Sequence, residues 1–142
     1  MKSVFIGLAY ALAALGALGQ TARDDSLYRA FGGKPGLARL MADFMPRLRA
    51  DARIGHFFEA TKLSELQAQL TDQLCAVSGG PCQYEGANMK DAHAESKVRK
   101  ADFNALVEVL QQAMDAQGIA FTTQNRMLAR LAPMHRDIVN TR

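Results

Sequence analysis

SGGPCQYEGANMKDAHAESKV, residues 78–98, opens on a turn signal and closes on a single histidine set among small and apolar residues. Gly79-Gly80-Pro81 must bend the chain, since paired glycines and a proline do not propagate a helix. Beyond the bend, Met89, Ala92 and His93 stand at i, i+3 and i+4. A helical turn there puts the imidazole on the same face as the methionine. Spacing alone leaves two readings of His93 open, a hydrogen-bonded core residue or a metal ligand. The chain has only three histidines, so an inward one asks for a reason.

Cys75 and Cys82 flank the same bend, and the N-terminus decides how they are read. Residues 1–19, MKSVFIGLAYALAALGALG, carry one lysine and then an apolar run ending in small residues. That is the layout of a signal peptide cleaved after Gly19, which leaves a mature domain over 20–142, periplasmic or secreted. An uncleaved anchor is the alternative, because the run approaches the ~20 apolar residues that span a bilayer. After cleavage the chain has no membrane role. In an oxidising compartment Cys75 and Cys82 form a disulfide that staples a helix end to the following loop. Closing so short a ring contributes about 2.5 kcal/mol. A metal site is the rival reading, and no third ligand lies nearby in sequence.

The chain of 142 residues is one domain's worth, and 49% of it is hydrophobic, enough for a sizeable core. The net charge is +3, and its tightest basic cluster, Lys97, Arg99 and Lys100, is flanked by Glu95 and Asp102. No basic stripe interleaved with aromatics appears, so a nucleic-acid partner is not expected. Four segments have helical periodicity, and none alternates as a strand does. The first, residues 34–51, places Leu37, Leu40, Met41, Phe44 and Leu48 on one face, with Pro46 set to kink it or end it near Met45. The second, about 64–78, aligns Leu63, Leu66, Leu70, Leu74 and Val77, with Ser64 and Gln67 in the form of a capping box. The third, 101–118, carries Phe103, Leu106, Val107, Leu110 and Met114. The fourth runs from Thr122 or Thr123 towards Val139, with a kink expected at Pro133. Short helices around Ser26–Phe31 and around His93 complete an all-α chain.

The order of motifs adds what periodicity does not. LYRAFGG (27–33), ADF (42–44), ADARIGHFF (50–58), SGGPCQYEG (78–86), MKDAH (89–93), ADF (101–103) and QNRMLARLAPMHRDIV (124–139) together resemble a truncated haemoglobin of the first group, over nearly all of the mature chain. The two cysteines resemble the exported members. The resemblance implies a two-over-two sandwich of helices around a b-type haem, with a diatomic gas (oxygen, CO or NO) as ligand and a redox partner. It makes His93, the histidine of K-x-x-H, the proximal iron ligand, and neutral imidazole is a good donor to iron. It places Phe58 against the haem face and Lys90 near a propionate. Phe44, Met89, Val98, Phe103, Val107 and Met114 fall where the pocket is lined, with plain core packing as the competing reading. His56 reads as a surface or hinge residue and His135 as solvent-facing.

The resemblance also locates the opposite side of the pocket. Oxygen-holding members usually carry a tyrosine where this chain has Met45, and the positions in the second long helix map to Leu66 and Leu70. The expected distal wall of Met45, Leu66 and Leu70 has neither hydroxyl nor amide; Gln67 is read as a cap, and Gln69 and Gln73 lie off the apolar face. Dioxygen, polarised on binding, gains about 1–3 kcal/mol from a buried donor, so an apolar wall speeds its release by about one to two powers of ten. Met45 ligating the iron itself is a further alternative. After the histidine the family usually has two glycines and a Thr or Ser cap, whereas here Ala94-Glu95-Ser96-Lys97-Val98-Arg99 follows. Arg99 is not a capping residue, and Ser96 stands a few residues early. Reversible gas binding, for transport or sensing, is the leading expectation. A nitric oxide dioxygenase or peroxidase, and a haem-free interaction module, are the alternatives.

Overall fold

A computed structural model describes residues 23–141; the expected signal segment lies outside them. The described chain is helical: α1 (Ser26–Ala30), α2 (Gly33–Ala50), a 3-10 turn (Gly55–Phe58), α3 (Leu63–Val77), α4 (Met89–His93), α5 (Lys100–Ala116), α6 (Phe121–Leu131), a second 3-10 turn (Ala132–Met134) and α7 (His135–Ile138). A single β-bridge, Arg99 to Thr141, is the extended pairing among the described residues. No helix among them is long and apolar enough to cross a membrane.

The apolar stripes become the core. In α2, Leu37, Leu40, Met41, Phe44, Met45 and Leu48 are all buried. They meet Leu74 of α3, Ala105, Val109, Leu110, Ala113 and Met114 of α5, and Met127 of α6. Each fully buried leucine stabilises the fold by about 1.5–3 kcal/mol. α2 packs on α3 and α5, and α6 packs on α5 and α3, so the pairs α2/α3 and α5/α6 form a two-over-two sandwich. α1 lies against α2 and α6, while α4 packs against α7.

Two local expectations are settled against one of their forms, and a third is refined. α2 does not end near Met45 but runs through Pro46 to Ala50. A proline there removes one helical hydrogen bond, at about 3 kcal/mol, and the burial of Met45 and Leu48 on either side offsets it. The Ser64–Gln67 capping box does not form. α3 starts earlier, at Leu63, which packs against the core, so Ser64 is already inside the first turn. The Gln67 carbonyl instead accepts the Thr71 hydroxyl at 2.7 Å. The fourth segment keeps its helical course through Pro133 but passes there from α6 through a 3-10 turn into α7, the irregularity expected at the proline.

One glycine is a packing requirement. A Cβ on Gly36 would overlap the Phe31 carbonyl oxygen, so only glycine lets α2 lie this close to the end of α1.

Candidate functional site

The bend at residues 78–82 is held from several sides. Cys75 and Cys82 are joined by a disulfide, with their Cα atoms 5.7 Å apart. The Gly80 amide donates to the Cys75 carbonyl at 2.8 Å, and Arg130 donates to the Val77 carbonyl at 2.8 Å. A Cβ on Gly80 would lie 2.5 Å from the Tyr28 ring and 2.7 Å from the Cys75 sulfur, so the glycine admits both neighbours. Downstream, the Tyr84 hydroxyl donates to the Ala87 carbonyl at 3.0 Å. The loop therefore delivers the chain to α4 from a fixed direction.

α4 is a single capped turn. The Asn88 side chain accepts from the Asp91 amide at 2.9 Å and donates to the Asp91 carboxylate at 2.6 Å. His93, half-buried at its last position, has Nδ1 2.8 Å from the Met89 carbonyl oxygen. A carbonyl can only accept, so Nδ1 carries a proton, which leaves Nε2 as the ring nitrogen whose lone pair can serve as a donor to a metal. Lys90, one turn back, is exposed. The turn after His93 is completed without glycine: Ser96 donates its amide to the His93 carbonyl at 3.0 Å, and Lys97 takes a positive φ of 50°.

α5 then starts by a route other than the Ser96 cap considered from sequence. Arg99 is its N-cap position, and Asp102 does the capping. The Asp102 carboxylate accepts the Arg99 backbone amide at 2.9 Å and the guanidinium at 3.0 and 2.9 Å. Ser96 is not needed as a cap. The guanidinium bond and the backbone bond hold the Asp102 carboxyl below the usual carboxylate range.

The other expected pocket residues fall into two groups. Phe58, Leu66, Leu70, Met89, Phe103 and Val107 are half-buried, whereas Phe44, Met45 and Val98 are buried. Phe58 is placed by Arg49, whose guanidinium collects the Phe58 and Glu59 carbonyls at 2.8 and 2.9 Å. Met114 is fully buried in the core, about 16 Å along α5 from Phe103. His135 is not solvent-facing: it is half-buried, with its ring edge-on to Phe103 at a centroid distance of 4.9 Å. His56 is exposed, as expected.

Gln73, expected off the apolar face, is instead turned inward. It is buried, and its amide donates to the Met89 sulfur at 3.4 Å and lies 3.8 Å from the Met134 sulfur, which links α3 to α4. Its spacing gave the signal: Gln73 follows Leu66 by seven residues and Leu70 by three, so it shares their face. An open polar cleft of about 550 Å³ beside the first 3-10 turn, lined by Arg49, Asp51, His56 and Glu59 among others, contains none of the expected pocket residues.

The model of the bacterial-like globin family matches residues 26–140. The chain is a bacterial-like globin. This globin is 30% identical over 97 residues to a group 1 truncated hemoglobin of Tetrahymena pyriformis, covering 68% of this chain and 80% of that one. It is 29% identical over 117 residues to a group 1 truncated hemoglobin of Mycolicibacterium paratuberculosis, covering 82% and 86%. The crystal structure of the Tetrahymena pyriformis truncated hemoglobin in its Fe(III) form superposes with a TM-score of 0.78 at 27% identity, covering 81% of this globin and 98% of that chain. The fold is thus that of a group 1 truncated haemoglobin, and family membership carries the general function, haem-based binding of a diatomic gas.

Proposed function

We propose that His93 is the axial iron ligand of a b-type haem, and that the protein binds a diatomic gas reversibly on an apolar distal side. The observation that carries the reading is the 2.8 Å bond from His93 Nδ1 to the Met89 carbonyl, which fixes the tautomer that aims a lone pair from Nε2. The donor set fits the group. A half-buried imidazole stands on a capped turn that also carries half-buried Met89, and α5 contributes half-buried Phe103 and Val107, side chains of the kind a large flat apolar cofactor covers. When bound, haem would supply an iron that His93 could hold and that could take up a diatomic gas.

The chain's own residues do the rest. The Asn88 cap and the Met89 carbonyl orient the imidazole. Phe58, Phe103 and Val107 offer apolar contact, and exposed Lys90 is suited to a propionate. Met45, Leu66 and Leu70 exclude water and present no hydrogen-bond donor, and the Gln73 amide is engaged with Met89. Peroxidase chemistry asks for a polar acid–base group on that side, which these three side chains do not supply, so the binding reading stands ahead of the enzymatic ones. The oxidised cysteine pair and the pattern of residues 1–19 support an exported protein.

The test is the absorption spectrum of the haem-reconstituted protein. The wild type should give a Soret band and a five-coordinate ferrous form, and His93→Ala should lose the histidine-ligated signature. A His93→Ala spectrum identical to wild type sinks the assignment, and a six-coordinate ferrous wild type points to Met45.

A further inference from the structure

We infer that Asn140 is a positioning residue for His93, holding the ligand-bearing turn from the C-terminal end of the chain. The inference rests on the assignment of His93 as ligand. Four hydrogen bonds carry it. The Asn140 side-chain amide donates to the His93 carbonyl at 2.7 Å and to the Ala94 carbonyl at 3.2 Å. The Asn140 and Thr141 backbone amides both donate to the Val98 carbonyl, at 3.0 and 3.1 Å. The segment 93–98 is therefore gripped at both ends by two adjacent residues some 45 positions later in the chain, and the Arg99–Thr141 bridge extends the grip.

The need for such a hold follows from local structure. α4 is only five residues long, so few of its own hydrogen bonds fix where its last residue sits. The carbonyls at a helix C-terminus have no intrahelical partner, and the Asn140 amide takes two of them. The turn beyond passes through Lys97 at positive φ, a conformation unfavourable for a residue with a side chain. The Ser96 amide closes the turn from within on the His93 carbonyl, and the Asn140 and Thr141 contacts hold both of its ends from outside. α7, packed against α4, brings Asn140 to that place. The Met89 carbonyl sets the rotation of the imidazole ring, while Asn140 sets the position of the backbone that carries it.

The experiment uses the haem-loaded full chain as wild type, Asn140→Ala and Asn140→Gln, with Asn125→Ala on exposed α6 surface as the control. Two readouts are taken: the iron–histidine stretching band of the ferrous form by resonance Raman, and amide hydrogen exchange over residues 93–98. Asn140→Ala should shift and broaden the band and speed exchange in that segment about tenfold, the effect of losing the side-chain bonds. Asn140→Gln, which keeps an amide donor, should recover part of both changes, and Asn125→Ala should match wild type. An Asn140→Ala protein that is folded and shows wild-type band position overturns the positioning role, even if exchange quickens. If the wild type shows no iron–histidine band, the His93 assignment has failed instead, and the exchange data then report on the tether alone.

Discussion

At the scale of single residues, the proposed apolar distal side is tested at Met45. It is 2% exposed on α2, and a thioether donates no hydrogen bond. Met45→Tyr introduces a hydroxyl on that side. It should slow oxygen dissociation by about one to two powers of ten, with a much smaller change for carbon monoxide, as read by stopped-flow displacement. Unchanged oxygen release would show that position 45 does not face the gas. The pairing of His93 with Met89 on one face and the cysteine pair are legible in sequence because the relations that define them are short: four residues from Met89 to His93, seven between the cysteines. Gln73, expected off the apolar face, is buried on it, and its partners, two methionine sulfurs on other elements, are not visible in sequence. Asn140 had no local signal, since its partners lie 46 and 47 positions away.

At the scale of elements, the long helices could be read because their apolar stripes repeat over several turns, and only their ends needed the third dimension. The start of α3 is set by Leu63 reaching the core rather than by Ser64 as a cap. The passage of α2 through Pro46 is set by burial on both sides of it. At α5 the sequence reading asked whether residue 99 accepts a hydrogen bond, but the accepting group is the Asp102 carboxylate three residues in. The junction of α1 and α2 gives the clearest test of an element. Because a methyl on Gly36 collides with the Phe31 carbonyl, Gly36→Ala should lower unfolding stability by about 1–3 kcal/mol despite alanine's higher helix propensity. Denaturant unfolding checks the sign: a stabilised variant would mean that α1 moves aside at little cost.

At the scale of the whole molecule, acid stability follows from carboxylates tied to neighbours. Asp102 is held below the usual range by Arg99, Asp51 by Arg53, and Asp24 by its hydrogen bonds to Ser26. Each lowered group binds its proton more weakly in the folded than in the unfolded chain. The stability it contributes is complete above the ordinary aspartate value of about 3.9 and is lost as pH falls through the lower folded value. Circular dichroism between pH 5 and pH 2 should show a steep acid limb that Asp102→Asn makes shallower; parallel limbs would remove Asp102 from the account. The remaining consequence concerns the bond between Cys75 and Cys82. Hydrolysis of any peptide bond between those two residues, including the one after exposed Pro81, yields two polypeptides that are still one covalent body. The segments that meet through Gln73 and Met89 would then stay linked after a protease has cut between them, and they would separate only when a reductant reached the sulfurs.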